Sequence, residues 1–161
     1  MNTLTAGDVV VRASEAADVA YLAPRLRESD KLELWAAAHE TPEKALADGL
    51  AASTTCYTIT HKGEPVAMFG VTPAPWRPGC GCGWLLATPG LVEVKTRFLR
   101  LSRRFITELL QDYEAIFNFV DERNTASIKW LKWCGAAFGP SFIGGAEGLP
   151  FKYFEIRRTH V

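Results

Sequence analysis

Asn124-Thr125-Ala126-Ser127-Ile128-Lys129-Trp130-Leu131-Lys132-Trp133-Cys134-Gly135-Ala136 decides how the rest of this sequence is read. Asn124 is a strong N-cap, because its side-chain oxygen can accept an amide hydrogen from the first helical turn. Ile128, Trp130, Leu131 and Trp133 supply the apolar helix residues, and Gly135 ends the helix where a left-handed residue is favoured. Immediately upstream, Glu114 to Val120 is a strongly apolar run of strand length that ends in the polar Asp121-Glu122-Arg123. Downstream, strands around Phe138 to Ile143 and Phe151 to Arg157 are joined by the turn Gly144-Gly145-Ala146-Glu147-Gly148.

Toward the N-terminus, Val94, Phe98, Leu101, Phe105 and Leu109 recur at helical spacing, with Arg97, Arg100, Arg103 and Arg104 on the opposite side. Trp84-Leu85-Leu86-Ala87 reads as a short buried strand, and the Pro- and Gly-rich Pro73 through Gly83 reads as a loop. Cys56 to Thr60 and Pro65 to Val71 form a hairpin around the polar turn His61-Lys62-Gly63-Glu64. Thr41-Pro42 is a cap and first-turn proline that opens a helix through Ala45, Leu46 and Leu50. From Glu15 to about Ala38, Val19, Leu22, Leu26, Leu32 and Trp35 predict one long or broken helix capped by Ser14, preceded by the strand Val9-Val10-Val11. The order is β, α, α, β, β, β, α, β, α, β, β. It predicts a single α/β (α+β) domain over 1–161, a mixed, mostly antiparallel sheet flanked by helices on both faces.

Composition narrows the functions. The 161 residues are 48% apolar, which excludes a fibre or a disordered tail and supplies a sizeable core. Eighteen basic residues balance 18 acidic ones, so no global field draws in nucleic acid or an anionic membrane surface. No apolar run reaches the roughly 18 residues that span a bilayer. The opening MNTLTAGDVVVR lacks the basic-then-apolar layout of a secretory signal, so the chain is expected to stay where it is made. Four cysteines are too few for a disulfide framework, and Cys134 reads as a buried, inert thiol. In Pro78-Gly79-Cys80-Gly81-Cys82-Gly83 one residue separates the thiols and no second pair follows, so no metal site is expected; in an exposed loop the two could oxidise to each other. Trp76, between prolines and next to Arg77, is a candidate partner contact in a loop that is hard to bury. The arginine stripe could meet cofactor phosphates, nucleic acid or an acidic protein, or could simply be a solvated helix face.

This element order, with a long helix after the fourth strand and the Asn124 helix after the fifth, resembles the GNAT N-acetyltransferase fold. Leu26-Arg27-Glu28-Ser29-Asp30 with Glu33-Leu34, the Thr41-Pro42 helix and the Trp-Leu-x-x-x-Gly ending of the Asn124 helix are similar to a phage-encoded GNAT-like family. Its members include internal virion proteins of short-tailed phages. The resemblance implies acetyl-CoA held on backbone N–H groups at the start of the helix after the fourth strand, through a Gln/Arg-x-x-Gly-x-Gly/Ala loop. The residues it points to here are Leu86, Thr88, Gly90, Val92, Lys95 and Asn124. The loop departs from that pattern: Gly90 stands alone, Lys95 and Arg97 occupy the glycine places, and Glu93 sets a carboxylate where phosphates would sit. The family's acidic tyrosine falls on Leu131. Glu33, His39 and Glu40 could face the cleft as bases, but spacing selects none, so catalytic residues stay unassigned.

Two expectations follow from the resemblance. One is a virion-associated structural or partner-binding component with a degenerate acetyl-CoA site, found in the virion or the host cytoplasm, whose partners are other phage virion proteins or a host protein. The alternative is an active acetyl-CoA-dependent N-acetyltransferase modifying an amine on a host protein or small molecule.

Overall fold

Alternation along one strand divides the core. In β4 (Glu64–Pro73), Ala67, Phe69 and Val71 belong to one apolar cluster and Met68 to another. Successive side chains of a strand point to opposite faces, so the two clusters are the two sides of the sheet. On the first side α4 (Lys95–Leu109) and α5 (Thr125–Trp133) contribute Phe98, Leu101, Phe105, Ile106 and Leu131. On the second, α1 (Ala16–Leu22), a 3-10 turn (Ala23–Arg25) and α3 (Pro42–Ala52) contribute Leu22, Ala23 and Leu46. This is a computed structural model, and it describes residues 3–160, so Met1 and Asn2 of the opening stretch lie outside the described residues.

The remaining strands are β1 (Leu4–Ala6), β2 (Val9–Ala13), β3 (Thr55–His61), β5 (Cys80–Ala87), β6 (Ala115–Asp121), β7 (Ala137–Gly144) and β8 (Leu149–Arg157). They form an eight-stranded sheet in the order β1-β2-β3-β4-β5-β6-β8-β7. Every neighbouring pair is antiparallel except β5 and β6. That parallel pairing joins Cys80–Cys82 to Ala115–Phe117 and goes no further, so Gly83–Ala87 and Asn118–Asp121 separate into a wedge.

The structure departs from the sequence reading in four places. First, β1 is an added strand, three residues long and held by Leu4 opposite Val11. Second, the expected loop from Pro73 to Gly83 shrinks to 74–79, because Cys80 to Gly83 are already strand. Glycine is needed there for close approach: a Cβ at Gly81 would lie 2.4 Å from Val71 Cγ1, and one at Gly83 2.3 Å from Ile116 Cγ2. Third, Cys80 and Cys82 are free thiols two apart on one strand, about 6.6–6.8 Å between Cα atoms, with parallel side chains. They stand in a strand and are half-buried, so the exposed loop on which their mutual oxidation is conditional is not present.

Of the two forms expected between Glu15 and Ala38 the structure has the broken one, interrupted at Pro24 into α1, the 3-10 turn and α2 (Glu28–Ala38), and the fourth departure is its cap. The cap of α1 is Glu15 rather than Ser14: the Asp18 carboxylate accepts the Glu15 amide at 2.9 Å, while Thr58 donates to the Ser14 hydroxyl at 2.9 Å. The caps read at Thr41 and Asn124 are present, accepting from the amides of Lys44 and Ser127 at 3.3 Å each.

Candidate functional site

The wedge between β5 and β6 opens into a cavity of about 600 Å³. Trp84 and Leu86 line it from β5, Asn118 and Val120 from β6, Leu131 from α5, and Glu33 and Leu34 from α2. Residues 27, 30 and 33 fall three apart, which sets them on one side of the helix start and aims them across the wedge. At the β5 end, the Arg27 amide donates to the Ala87 carbonyl at 2.8 Å, and the Ala87 amide donates to Asp30 Oδ2 at 2.8 Å. Arg27 Nε lies 2.9 Å from the same carboxylate, and its Nη2 donates to Ser127 Oγ at 3.2 Å. At the β6 end, Glu33 Oε2 accepts from the Asp121 amide at 3.2 Å and from Asn124 Nδ2 at 3.1 Å. Lower in the wedge, Asn118 Nδ2 donates to the Gly83 carbonyl at 2.9 Å. The Ala87 amide and carbonyl, the Gly83 carbonyl and the Asp121 amide, which splaying would leave open, are thus satisfied within the chain.

The carboxyls here have different environments. Burial pushes Glu33 up from the ordinary 4.5 to about 7, against its two hydrogen-bond donors. Burial also raises Asp30, despite Arg27 beside it. Asp121 is held low: burial opposes its charge, but hydrogen bonds from Arg123 outweigh it.

A folded-state pKa above the unfolded one means that the native protein binds the Glu33 proton more tightly. Its contribution is therefore fully present below about pH 4.5 and is lost as pH rises toward about 7. Glu33→Gln keeps the accepting oxygen and removes the titration. Urea denaturation at pH 5 and pH 8 should show the variant gaining stability relative to wild type at the higher pH; an equal difference at both pH values would remove the assignment.

The loop after β5 is closed in a similar way. Residues Pro89–Val94 form a 3-10 turn. Pro89 has no N–H, the Gly90 amide donates to Thr88 Oγ1 at 3.2 Å, and the Leu91 amide to the Thr88 carbonyl at 3.2 Å. Glu93 is exposed and lies 3.8 Å from His61 Nδ1.

The residues singled out from the sequence are dispersed. Leu86 lines the cavity, and Asn124 is buried at its end against Glu33. Thr88 and Gly90 instead border a separate hollow of about 420 Å³ with Tyr21, Arg25 and His61. Val92 is 74% exposed and Lys95 is exposed, so neither joins them. Glu33 and Glu40 line the cavity, whereas His39 turns away to Glu147 at 2.5 Å. Leu131, at the tyrosine place, faces the cavity. Cys134 is buried, its thiol pushed up to about 12 by burial.

Trp76 and Arg77 part company. Trp76 is 74% exposed. Arg77 folds back over the Phe117 ring at 4.7 Å, hydrogen-bonds Tyr153 Oη and reaches Glu155 at 2.9 Å. Hydrogen bonds from Tyr153 and then Arg77 hold Glu155 down at about 2. The sequence reading did not single out Arg27 and Asp30 for the site; their three-residue spacing to Glu33 was the available signal.

Comparison with known proteins adds two findings. Residues 55–143 match the family described as "Bacteriophage T7, probable scaffold protein Gp13". The probable scaffold protein gp13 of Escherichia phage T7 is 28% identical over 143 residues, covering 83% of this chain and 96% of that protein. Among solved structures, a GNAT-family acetyltransferase from Bacillus anthracis superposes with a TM-score of 0.69 at 13% identity, covering 98% of this chain and 99% of that one. The aminoglycoside acetyltransferase AAC(6')-Ib, solved with coenzyme A, gives 0.69 at 19% identity over 94% and 96% of the two chains. Spermidine N-acetyltransferase from Vibrio cholerae, solved with CoA and spermine, gives 0.63 at 10% identity over 96% and 98%. At these identities the likeness establishes the fold, a GNAT fold.

Proposed function

Because this chain belongs to the family of the phage T7 probable scaffold protein Gp13, we propose that it serves phage assembly as a GNAT-fold structural component that binds other phage proteins, with its acetyl-CoA site closed. It acts on this reading in the virion or in the host cytoplasm. The observation that carries the closed site is the set of contacts from Arg27, Asp30 and Glu33 across the wedge. An extended, amide-bearing cofactor lying there would need backbone edge groups, and those of Ala87 and the Gly83 carbonyl are taken. Phosphates at the following loop would need free amides, but Pro89 has none, Gly90 and Leu91 give theirs to Thr88, Lys95 gives its own to the Val92 carbonyl, and Glu93 adds a carboxylate. Leu131 cannot donate a proton to a leaving thiolate.

A second reading keeps one supporting observation. The apolar cavity holds Glu33 with a pKa of about 7, which suits a general base for an attacking amine. Calorimetric titration with acetyl-CoA separates the two. The closed site predicts no binding heat up to millimolar cofactor, which would also remove the transferase reading; micromolar binding would overturn the closed site. Mass spectrometry of purified precursor and mature particles tests the assembly role, and absence of the chain from both would remove it.

A further inference from the structure

Charge balance over the whole chain hides an uneven distribution. Most arginines outside α4 and α5 are paired: Arg12 with Asp18, Arg27 with Asp30, Arg77 with Glu155 and Arg123 with Asp121. Arg97, on α4, is held by Asp8. Among the described residues, the cations outside any ion pair are Arg25, Lys62, Arg158 and, all on α4 and α5, Lys95, Arg100, Arg103, Arg104, Lys129 and Lys132. These last six are exposed, and the two helices carry Glu108 as their only acid. Lys95 to Arg104 alone extends about 14 Å along α4.

A tryptophan belongs to the same surface. Trp133 is 49% exposed, with the Arg103 guanidinium 5.4 Å from its ring centre and its indole N–H donating to the Leu99 carbonyl at 3.4 Å. Beneath it, Trp130 Nε1 donates to the buried Ser102 Oγ at 3.0 Å, which ties α5 to α4. The cations and the exposed ring therefore sit on two helices locked together before any partner arrives.

We propose that this α4–α5 face is a docking surface for an acidic segment of a partner protein, with Trp133 as the central anchor. Charge complementarity selects the acidic partner, since these cations have no counterions among the described residues. Trp and Arg are the residue types that dominate binding energy at protein interfaces, and a pre-fixed ring loses little freedom on contact. Nucleic acid fits less well, because Arg103 already covers one face of the ring that would stack on a base. The inference rests on the assembly reading only for where the partner is sought.

The test is photo-crosslinking in infected cells, with a benzophenone amino acid placed at Lys132 and, as a control on α3, at Glu43. The expected result is a protein adduct at position 132 whose cross-linked peptide is net acidic, absent from position 43. Its yield should fall at least tenfold in Trp133→Ala and in the double variant Arg100→Glu, Arg104→Glu. Circular dichroism confirms folding; if Trp133→Ala fails to fold, the double variant, altered only at exposed side chains, decides alone. An adduct to nucleic acid, to a second copy of this chain or to a peptide without net negative charge overturns the proposal, as does no adduct or one indifferent to charge reversal. An acidic adduct from a chain missing from particles would keep this inference while removing the assembly role.

Discussion

Phe105→Ala will destabilise the protein by about 3–5 kcal/mol, the range for removing a large aromatic from a well-packed core. Phe105 has no exposed surface, and its ring lies 4.4 Å from Phe69, 5.8 Å from Phe98 and 6.4 Å from Trp130. It therefore joins α4, α5 and the sheet at one point, and those rings are fixed by their own neighbours, so the space left behind cannot close by a small shift. Interiors packed to crystal density transmit such a loss instead of absorbing it. In a domain of this size each kcal/mol shifts the melting temperature by roughly 2–4 °C, so the midpoint should fall by about 6–20 °C. Urea denaturation and a thermal melt measure both. A loss below 1 kcal/mol would mean that α4 does not pack where the structure has it, whereas the exposed neighbour Thr107→Ala should change little.

Asp30→Ala should cost a similar amount, about 3–5 kcal/mol, for an electrostatic reason. The carboxylate is 3% exposed and is the acceptor for the Ala87 amide as well as the ion-pair partner of Arg27, itself 21% exposed. Truncation strands a guanidinium in a poorly solvated position and leaves a buried N–H without an acceptor, so the loss exceeds that of a surface pair. Asp30→Asn can still accept from Ala87 and should lose less. The ordering Ala worse than Asn worse than wild type in denaturation midpoints is the expected result. Equal stability of all three would show that α2 does not hold the wedge.

Much of the fold was legible because its signals are local. Thr41 and Asn124 cap helices through amides three residues on, and the paired spacing of Phe98, Leu101 and Phe105 is a property of α4 alone. The errors arose where distant chain decides local structure. Cys80 to Gly83 read as loop because glycine and proline usually mark loops, yet strands on both sides hold them extended and need glycine for their approach. Ser14 looks like a cap in isolation, but Thr58, 44 residues away, engages its hydroxyl.

The candidate site was less legible still. Leu131 and the lone Gly90 signalled a departure from the acetyltransferase pattern, but not that Thr88 and Gly90 would border a different hollow from Leu86. The sequence by itself determined the periods, the caps, the element order and the basic stripe of α4, since each depends on residues within a turn or two of one another. Only the tertiary structure decided that Asp30 meets Ala87 57 residues away, that Glu33 meets Asp121 and Asn124 88 and 91 residues away, and that Arg97 alone of the α4 and α5 cations finds an acidic partner among the described residues. Hydrogen bonds and ion pairs act over a few ångströms, so what satisfies a buried group is set by which segments the sheet brings together, and no local pattern records that.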